Sequence, residues 1–379
     1  MLPDLYGREV APVLEPVLFH GVAQVGPITG SEIEDILPEL IGSGLAPLLV
    51  SIAEGNGLRL SVGAHASLRA AQFDTLVRTV RTQSATVEAL QLLQANRIPF
   101  LIIKGPSIAR LHTVNWNRPF NDIDIIVPRH HYLETIRLLR RELAFAEAKR
   151  NALPRSGSML YCREATNLRN DLGGSIDVHQ QIAPWIWTRR LSYEVLARDG
   201  VGIEIGGVNM QCASAIDNFL ISMLHIVSDR GQPGTNLLCW RDIALLATTL
   251  DVDKYVARAD ELGLRAWTAW ILGCLPSIVR PTNALSLLGE DSTRIPHPRR
   301  LRVVASGVGS GDVLAVQAFR IPMLNALVFA LSAACPSREF LQDKYGRAGA
   351  PEYFHYWRSG GLGVKEVLLA LIRKGHRNS

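Results

Sequence analysis

The sequence predicts an α+β protein in which a small mixed α/β core, one sheet flanked by helices, lies between helical N-terminal and C-terminal regions. Short β-branched runs occur in the middle of the chain, and such runs are typical of buried strands. Gly-Pro and Gly-Gly pairs follow or separate these runs, as expected of turns. Outside this part, apolar residues recur at helical spacing. We therefore predict a mainly helical region over 1–97, the α/β core over 98–210 and a helical domain over 211–379.

The N-terminal region contains two predicted helical stretches. Residues 33–49 have helical character that Gly42 and Gly44 interrupt. A longer helix follows, and its mostly apolar face is formed by residues three or four apart: Phe73, Leu76, Val77, Val80, Ser84 and Val87. We expect this helix to end near Asn96, because Pro99 disfavours helical backbone at the residue before it.

Three short strands are predicted in the core, each ended or preceded by a turn signal. They lie at 100–103, 123–127 and 175–179. The other core elements are a short helix over 107–114, a helix that begins near Pro128, and one or two strands over 201–210 around Gly206-Gly207.

Helical spacing returns after residue 213. Predicted helices cover 216–224, 243–250 and 324–331, and His225 lies on an apolar helical face, where a core histidine is expected. The longest apolar stretch, 321–334, is shorter than the roughly 20 residues that a membrane span needs, so we predict a buried helix. Residues 290–302 form a predicted basic loop.

Composition excludes several classes of protein. The 379 residues are 47% hydrophobic, which is too apolar for a disordered chain. Five scattered cysteines without a C-x-x-C pair argue against a disulfide framework and a structural zinc site. The first residues show no signal-peptide pattern, so we expect a reduced, cytoplasmic location without membrane contact.

The net charge of +5 suits a polyphosphate ligand better than a nucleic-acid-binding arm. Motifs of P-loop enzymes, ordinary dinucleotide oxidoreductases, zincins and nucleophile-elbow hydrolases are missing.

Three aspartates suggest where chemistry takes place. Asp122 and Asp124 begin the second predicted strand, and strand alternation directs both to one side with Ile123 behind them. Asp177 lies between two apolar residues of the third strand. Carboxylates on one face repel each other unless a cation lies between them, and Mg²⁺ prefers oxygen ligands. If the strands are neighbours, the aspartates converge on a divalent-cation site; the alternative is a solvated strand edge.

These residues and their context resemble a known family. A strand, the turn Lys104-Gly105-Pro106-Ser107 and a helix are followed by Arg118 to Val127 (RPFNDIDIIV) and by Ser175 to His179 (SIDVH). This order is similar to nucleotidyltransferases of the polymerase-beta type, and more specifically to the bacterial uncharacterised nucleotidyltransferase family. Trp240-Arg241-Asp242-Ile243 is similar to a later element of that family. The resemblance extends over roughly residues 70 to 360.

The resemblance implies a Mg²⁺-dependent transfer reaction. Asp122, Asp124 and Asp177 would hold two Mg²⁺ ions that bridge the triphosphate of an NTP, with ATP as the expected donor, and the attacking hydroxyl. A nucleoside monophosphate, AMP for ATP, would pass to a small-molecule or peptide acceptor, and pyrophosphate would leave. Asp177 is implied to align or deprotonate the acceptor, because it lies on a separate strand.

Five further residues are expected to contact the nucleotide: Lys104, Gly105, Ser107, Arg118 and His179. Lys104 and Arg118 could instead have a solvated or structural role, and His179 could make a structural hydrogen bond. One position departs from the superfamily pattern, because Pro106 follows the turn glycine where Ser or Gly is usual. Proline has no N–H, so the sequence does not identify which backbone N–H groups would donate to phosphate.

Two other functions remain compatible with the sequence. A toxin-like nucleotidyltransferase could modify tRNA or a protein, and the basic segment 294–302 could then contact RNA. A non-catalytic nucleotide-binding or scaffold protein could keep the same fold. The presence of all three carboxylates favours an enzyme.

Overall fold

The computed structural model of the chain describes most of its residues. These are 17–19, 30–55, 58–112, 118–148, 165–182, 191–228, 237–275, 277, 279–289 and 338–358. The predicted helix over 324–331, the apolar stretch 321–334 and the basic loop 290–302 lie outside them.

The described strands form one seven-stranded mixed sheet. The strands are β1 (Leu101–Ile103), β2 (Ile123–Ile126), β3 (Ala146–Glu147), β4 (Ala165–Arg169), β5 (Ser175–His179), β6 (Val201–Ile205) and β7 (Val208–Cys212). Their order is β3-β4-β5-β2-β1-β7-β6. β2 runs parallel to β5 and β1 parallel to β7, and the remaining neighbours are antiparallel. The predicted α+β fold class, a mixed sheet with helical flanks, is confirmed.

Helices precede, interrupt and follow the sheet. Those before β1 are α1 (Gly30–Asp35), α2 (Leu37–Gly42), α3 (Ala46–Glu54) and α4 (Val62–Ala95). Those between strands are α5 (Gly105–Ala109), a 3₁₀ turn (Arg129–His131), α6 (Tyr132–Leu143) and α7 (Tyr193–Ala197). Those after β7 are α8 (Ala215–Ser228), α9 (Leu237–Thr249), α10 (Val252–Glu261), α11 (Arg265–Cys274), α12 (Thr282–Leu288), α13 (Arg338–Tyr345) and α14 (Ala350–Arg358). Among the described helices, none is long and apolar enough to cross a membrane.

The two faces of the sheet have different partners. On one face, side chains such as Ile123 and Ile125 belong to a buried cluster with residues of α4 and α6. On the other, Ile103 and Ile126 belong to a larger cluster with residues of α8 and α9. Because side chains alternate along a strand, Asp124 of β2 must point to the α8 side. The sheet therefore directs polar residues of β2 and β5 toward the C-terminal helices.

The predicted apolar face of the long helix is wrong in its first half. Phe73 and Val80 of α4 are 67% and 58% exposed. The buried side carries threonines instead, and the hydroxyls of Thr82 and Thr86 donate to the carbonyls of Asn121 and Ser175. The physical reason is what the helix packs against, since α4 contacts backbone carbonyls of a loop and of β5 here, and a buried carbonyl needs a hydrogen-bond donor.

Element boundaries differ from the sequence predictions in two places. The short helix predicted over 107–114 already begins at Gly105 and ends at Ala109, and Pro106 fits its first turn, where a backbone N–H has no helical partner. Strands β3 and β4 were not predicted, because β4 has only two buried side chains, Thr166 and Leu168. The domain boundaries after 97 and 210 remain predictions; β7 ends at Cys212.

Candidate functional site

Register brings the carboxylates of β2 and β5 together. Asp124 lies directly opposite Asp177 in the parallel pair. Asp124, Asp177 and His179 offer potential ligand atoms that all lie within 4.8 Å of one another. Asp124 and His179 are buried and Asp177 is partly exposed, so the group opens to solvent on one side. The predicted convergence of two strands is therefore present, with an imidazole as an additional member.

Asp124 is the most constrained carboxylate of the site. Its Oδ1 is 2.9 Å from His179 Nε2 and 3.2 Å from Lys104 Nζ. Burial by itself would raise the pKa of Asp124, but the Lys104 ammonium and the His179 hydrogen bond hold it well below the ordinary value. Asp124 is therefore an ionised acceptor fixed by two donors.

Asp122 lies in the loop immediately before β2 and is partly exposed. It is not a member of the 4.8 Å group. Burial, together with the charges of Asp124 and Asp177, nevertheless raises its pKa to about 6. Asp122 thus contributes to the negative potential of the site while it lies outside the innermost cluster.

Asp177 has a partner that sequence reasoning missed. Asn167 of β4 lies opposite Asp177 in the antiparallel pair, and its Nδ2 donates to Asp177 Oδ1. Burial and the charge of Asp124 raise the pKa of Asp177. No motif marks Asn167, because its strand was not predicted.

The opposite pKa shifts of Asp122 and Asp124 predict opposite changes in stability. Ionised Asp122 destabilises the fold, and this effect is absent below its ordinary pKa of 3.8 and complete above about pH 6. Ionised Asp124 stabilises the fold above its ordinary pKa, and that stabilisation is lost as the pH falls through the lowered value. At pH 7.5 we expect Asp122→Asn to stabilise by on the order of 2 kcal/mol and Asp124→Asn to destabilise.

Urea unfolding at pH 7.5 and pH 4 measures both effects. The gain from Asp122→Asn should be much smaller at pH 4, because that carboxyl is then protonated in the folded state and partly protonated in the unfolded state. Changes of the same sign for the two variants at pH 7.5 would contradict this electrostatic description.

Lys104 occupies an unusual backbone conformation at the turn after β1. Its φ of 51° and ψ of −136° fall in a region that favours glycine. Two side chains bind the backbone of this turn: Lys104 N donates to Asn218 Oδ1 at 2.8 Å, and Ser107 Oγ donates to Lys104 O at 2.7 Å. The turn directs the Lys104 ammonium to Asp124, and we infer that this placement compensates for the backbone strain.

Comparison of Lys104→Gly with Lys104→Ala isolates the backbone strain, since both variants lack the ammonium. Glycine normally destabilises a protein relative to alanine, but at positive φ it avoids the steric penalty. We expect Lys104→Gly to be more stable than Lys104→Ala by about 1 kcal/mol. Chemical denaturation of the two variants tests this, and an alanine variant of equal or greater stability would argue against strain.

The other predicted nucleotide contacts occupy different positions. Gly105 is the first residue of α5, and Ser107 is fully buried with its hydroxyl bound to Lys104 O. The buried Arg118 guanidinium donates to Asp242 of α9 and to the carbonyl of Pro119. The structure therefore brings Lys104 and His179 to the carboxylates, whereas Ser107 supports the turn and Arg118 binds Asp242.

Helix α8 supplies two polar residues to the surroundings of Lys104 and Asp124, and sequence reasoning missed this contribution. Asn218 binds Lys104, and the charge of His225 is one of the causes that lower the pKa of Asp124. His225 is partly exposed, whereas residues 217–224 and 226 are buried. The position expected for His225 in the helical core is therefore observed only in part, because its side chain is partly exposed. A sequence pattern that could have indicated this contribution is a series of polar residues on an otherwise apolar helix. These residues are Asn218, Ser222 and His225, at spacings of four and three.

The donor set fits a divalent cation. Asp124, Asp177 and nearby Asp122 supply carboxylate oxygens, and a cation would offset the burial and the carboxylate repulsion that raise the pKa of Asp122. Among the described residues, His179 Nδ1 is buried without a hydrogen-bond partner. His179 therefore has a second nitrogen free while Nε2 orients Asp124, as imidazoles beside metal sites often do.

Comparisons with known proteins give two matches. The sequence model of a family described as uncharacterised nucleotidyltransferase matches residues 29–279, well over half of the chain. The chain is similar to a crystal structure of an antigenic nucleotidyltransferase-like protein from Paracoccidioides brasiliensis. The two are 14% identical, the match covers 47% of this chain and 87% of that chain, and the TM-score is 0.31. No curated protein matches the chain.

Proposed function

Because the chain belongs to the uncharacterised nucleotidyltransferase family, we propose that it transfers a nucleoside monophosphate from an NTP to a hydroxyl or similar group of a small-molecule or peptide acceptor. ATP is the proposed donor and AMP the group transferred. The observation that carries the proposal is the direct pairing of Asp124 with Asp177, on neighbouring parallel strands and next to Lys104. Family membership supplies the reaction class, and the carboxylate pair supplies a site for it.

Asp122, Asp124 and Asp177 are the proposed ligands of Mg²⁺, two ions in the full complex. When bound, such ions neutralise phosphate charge and stabilise the entering and leaving oxygens of an in-line displacement. The low pKa of Asp124 favours this role, because its carboxylate is ionised at neutral pH without an external cation. Asp122 requires deprotonation near pH 6, so metal binding should weaken below that pH.

The protein's own groups then position the reactants. In the proposed reaction the acceptor oxygen attacks the α-phosphorus, the bond to the β-phosphate oxygen breaks, and pyrophosphate leaves. Asp177, with the raised pKa of a potential proton acceptor, aligns the acceptor hydroxyl and takes its proton. Lys104 is within reach of Asp124 and can contact a phosphate oxygen, and His179 keeps Asp124 oriented.

Incubation of the full chain with α-labelled NTPs, Mg²⁺ and pools of candidate acceptors tests the proposal. We expect label from ATP on a small molecule or peptide, together with released pyrophosphate. Label on tRNA, with strongly salt-dependent RNA binding, would favour the toxin-like alternative. Absence of NTP binding and of label in every pool would favour a scaffold protein.

A further inference from the structure

One buried carboxylate of the C-terminal helices contacts two residues of the chain between α5 and β2. Asp242 of α9 is fully buried. Its Oδ1 is 3.2 Å from His112 Nε2, and its Oδ2 accepts from Arg118 Nε at 3.1 Å and Nη2 at 2.9 Å. The paired arrangement of two N–H donors on one carboxylate is strong and fixes the guanidinium plane.

Arg118 precedes the candidate metal site in the chain and interacts with it through its charge. It is four residues before Asp122 in the chain. Its charge is one of the influences that lower the pKa of Asp122, and the charge of Asp124 in turn favours the charged form of Arg118. The guanidinium is thus within electrostatic range of two site carboxylates while Asp242 holds it in place.

The backbone that leads to Asp122 has other restraints. Thr79 Oγ1 of α4 donates to Phe120 O at 3.2 Å, and Thr82 Oγ1 donates to Asn121 O at 3.4 Å. These contacts come from the opposite side of the sheet and do not involve Asp242. Loss of the Asp242 charge should therefore leave the Arg118 side chain held by its bond to Pro119 O alone and free its Nε and Nη2 donors, whereas the path of the backbone is retained.

We propose that Asp242 is a positioning residue that keeps the Arg118 guanidinium away from the metal-binding carboxylates. A released guanidinium would pair with Asp122 or Asp124, since arginine binds carboxylates in bidentate fashion. It would then compete with a divalent cation for the same oxygens. The inference rests on the proposed function, because it requires these carboxylates to bind such a cation.

Isothermal titration calorimetry of the full chain with Mn²⁺ alone tests the inference without any catalysed reaction. The variants are Asp242→Asn, the double variant Asp242→Asn with Arg118→Gln, and the control Asp217→Asn. Asp217 is a matched control, because it is also a fully buried carboxylate bound to an arginine, Arg258, in the same group of helices. We expect Asp242→Asn to weaken Mn²⁺ binding about tenfold. The double variant should bind as the wild type does, and the control should be unchanged.

The outcomes separate the inference from the proposed function. Wild-type affinity in Asp242→Asn, or equally weak binding in the double variant, would overturn the inference while wild-type Mn²⁺ binding still supports the proposed function. No Mn²⁺ binding by the wild type would overturn both. If Asp242→Asn does not fold, the double variant keeps the inference falsifiable, since it removes both charges. Binding as in the wild type is expected from it, and weaker binding would overturn the inference.

Discussion

Asp124→Asn is expected to reduce nucleotidyl transfer roughly a thousandfold, through loss of charge at the centre of the site. The variant keeps the size of the side chain and an oxygen that can accept from His179. It removes the negative charge that faces Asp177 and pairs with Lys104. Because the proposed reaction depends on neutralisation of phosphate charge by cations held here, the loss should be mainly in kcat. Steady-state transfer of α-labelled ATP to the identified acceptor measures it.

Asp217→Asn is the control for this experiment. It also removes a buried carboxylate that pairs with an arginine, but Asp217 binds Arg258 among the C-terminal helices. Activity within a few-fold of the wild type is expected for the control, provided that circular dichroism shows a folded protein. Equal activity losses in Asp124→Asn and Asp217→Asn would show that Asp124 affects the reaction only through stability.

Asn218→Ala is expected to impair both the fold and the reaction. The Asn218 side chain is fully buried, its Oδ1 accepts from Lys104 N, and its Nδ2 donates to Ala213 O. Without it, the backbone N–H of the strained Lys104 turn loses its acceptor, which should destabilise the protein by about 2 kcal/mol. The Lys104 ammonium would also lose its fixed approach to Asp124, so we expect kcat to fall roughly tenfold to a hundredfold.

Ser222→Ala, one helical turn further along α8, provides the comparison. Ser222 is also buried on this helix, and it has no described contact with the Lys104 turn. Its alanine variant should keep the wild-type kcat. If Asn218→Ala loses stability but keeps the wild-type kcat, Asn218 supports the fold alone and does not position Lys104 for the reaction.

The strand aspartates could be predicted because their pattern is local. Alternation in Asp122-Ile123-Asp124 and the apolar neighbours of Asp177 indicate which side each carboxylate faces. The order of strands is not local, yet β2 and β5 are neighbours and align Asp124 with Asp177. The register of β2 against β5 cannot be read from the sequence. Nothing in the sequence therefore indicates that Asp122 lies outside the group of Asp124, Asp177 and His179.

The supporting residues could not be predicted, because their partners are far away in the chain. Asn218 binds a backbone N–H 114 residues earlier, and Asp242 binds a guanidinium 124 residues earlier. Neither contact leaves a periodic signal. The buried face of α4 could not be predicted for a related reason. Thr82 and Thr86 are buried against backbone carbonyls to which they donate hydrogen bonds, and hydrophobic periodicity does not detect such contacts.

A thermal-shift experiment with the four NTPs, each with and without Mg²⁺, tests most directly whether the carboxylate site binds a nucleotide with a divalent cation. We expect ATP and Mg²⁺ together to raise the Tm of the wild type more than the sum of their separate effects. Ligand at a hundred times its Kd stabilises a protein by about 2.7 kcal/mol. Asp124→Asn should lose this combined shift. Absence of a shift in the wild type with every NTP, with or without Mg²⁺, would contradict the assignment of this site.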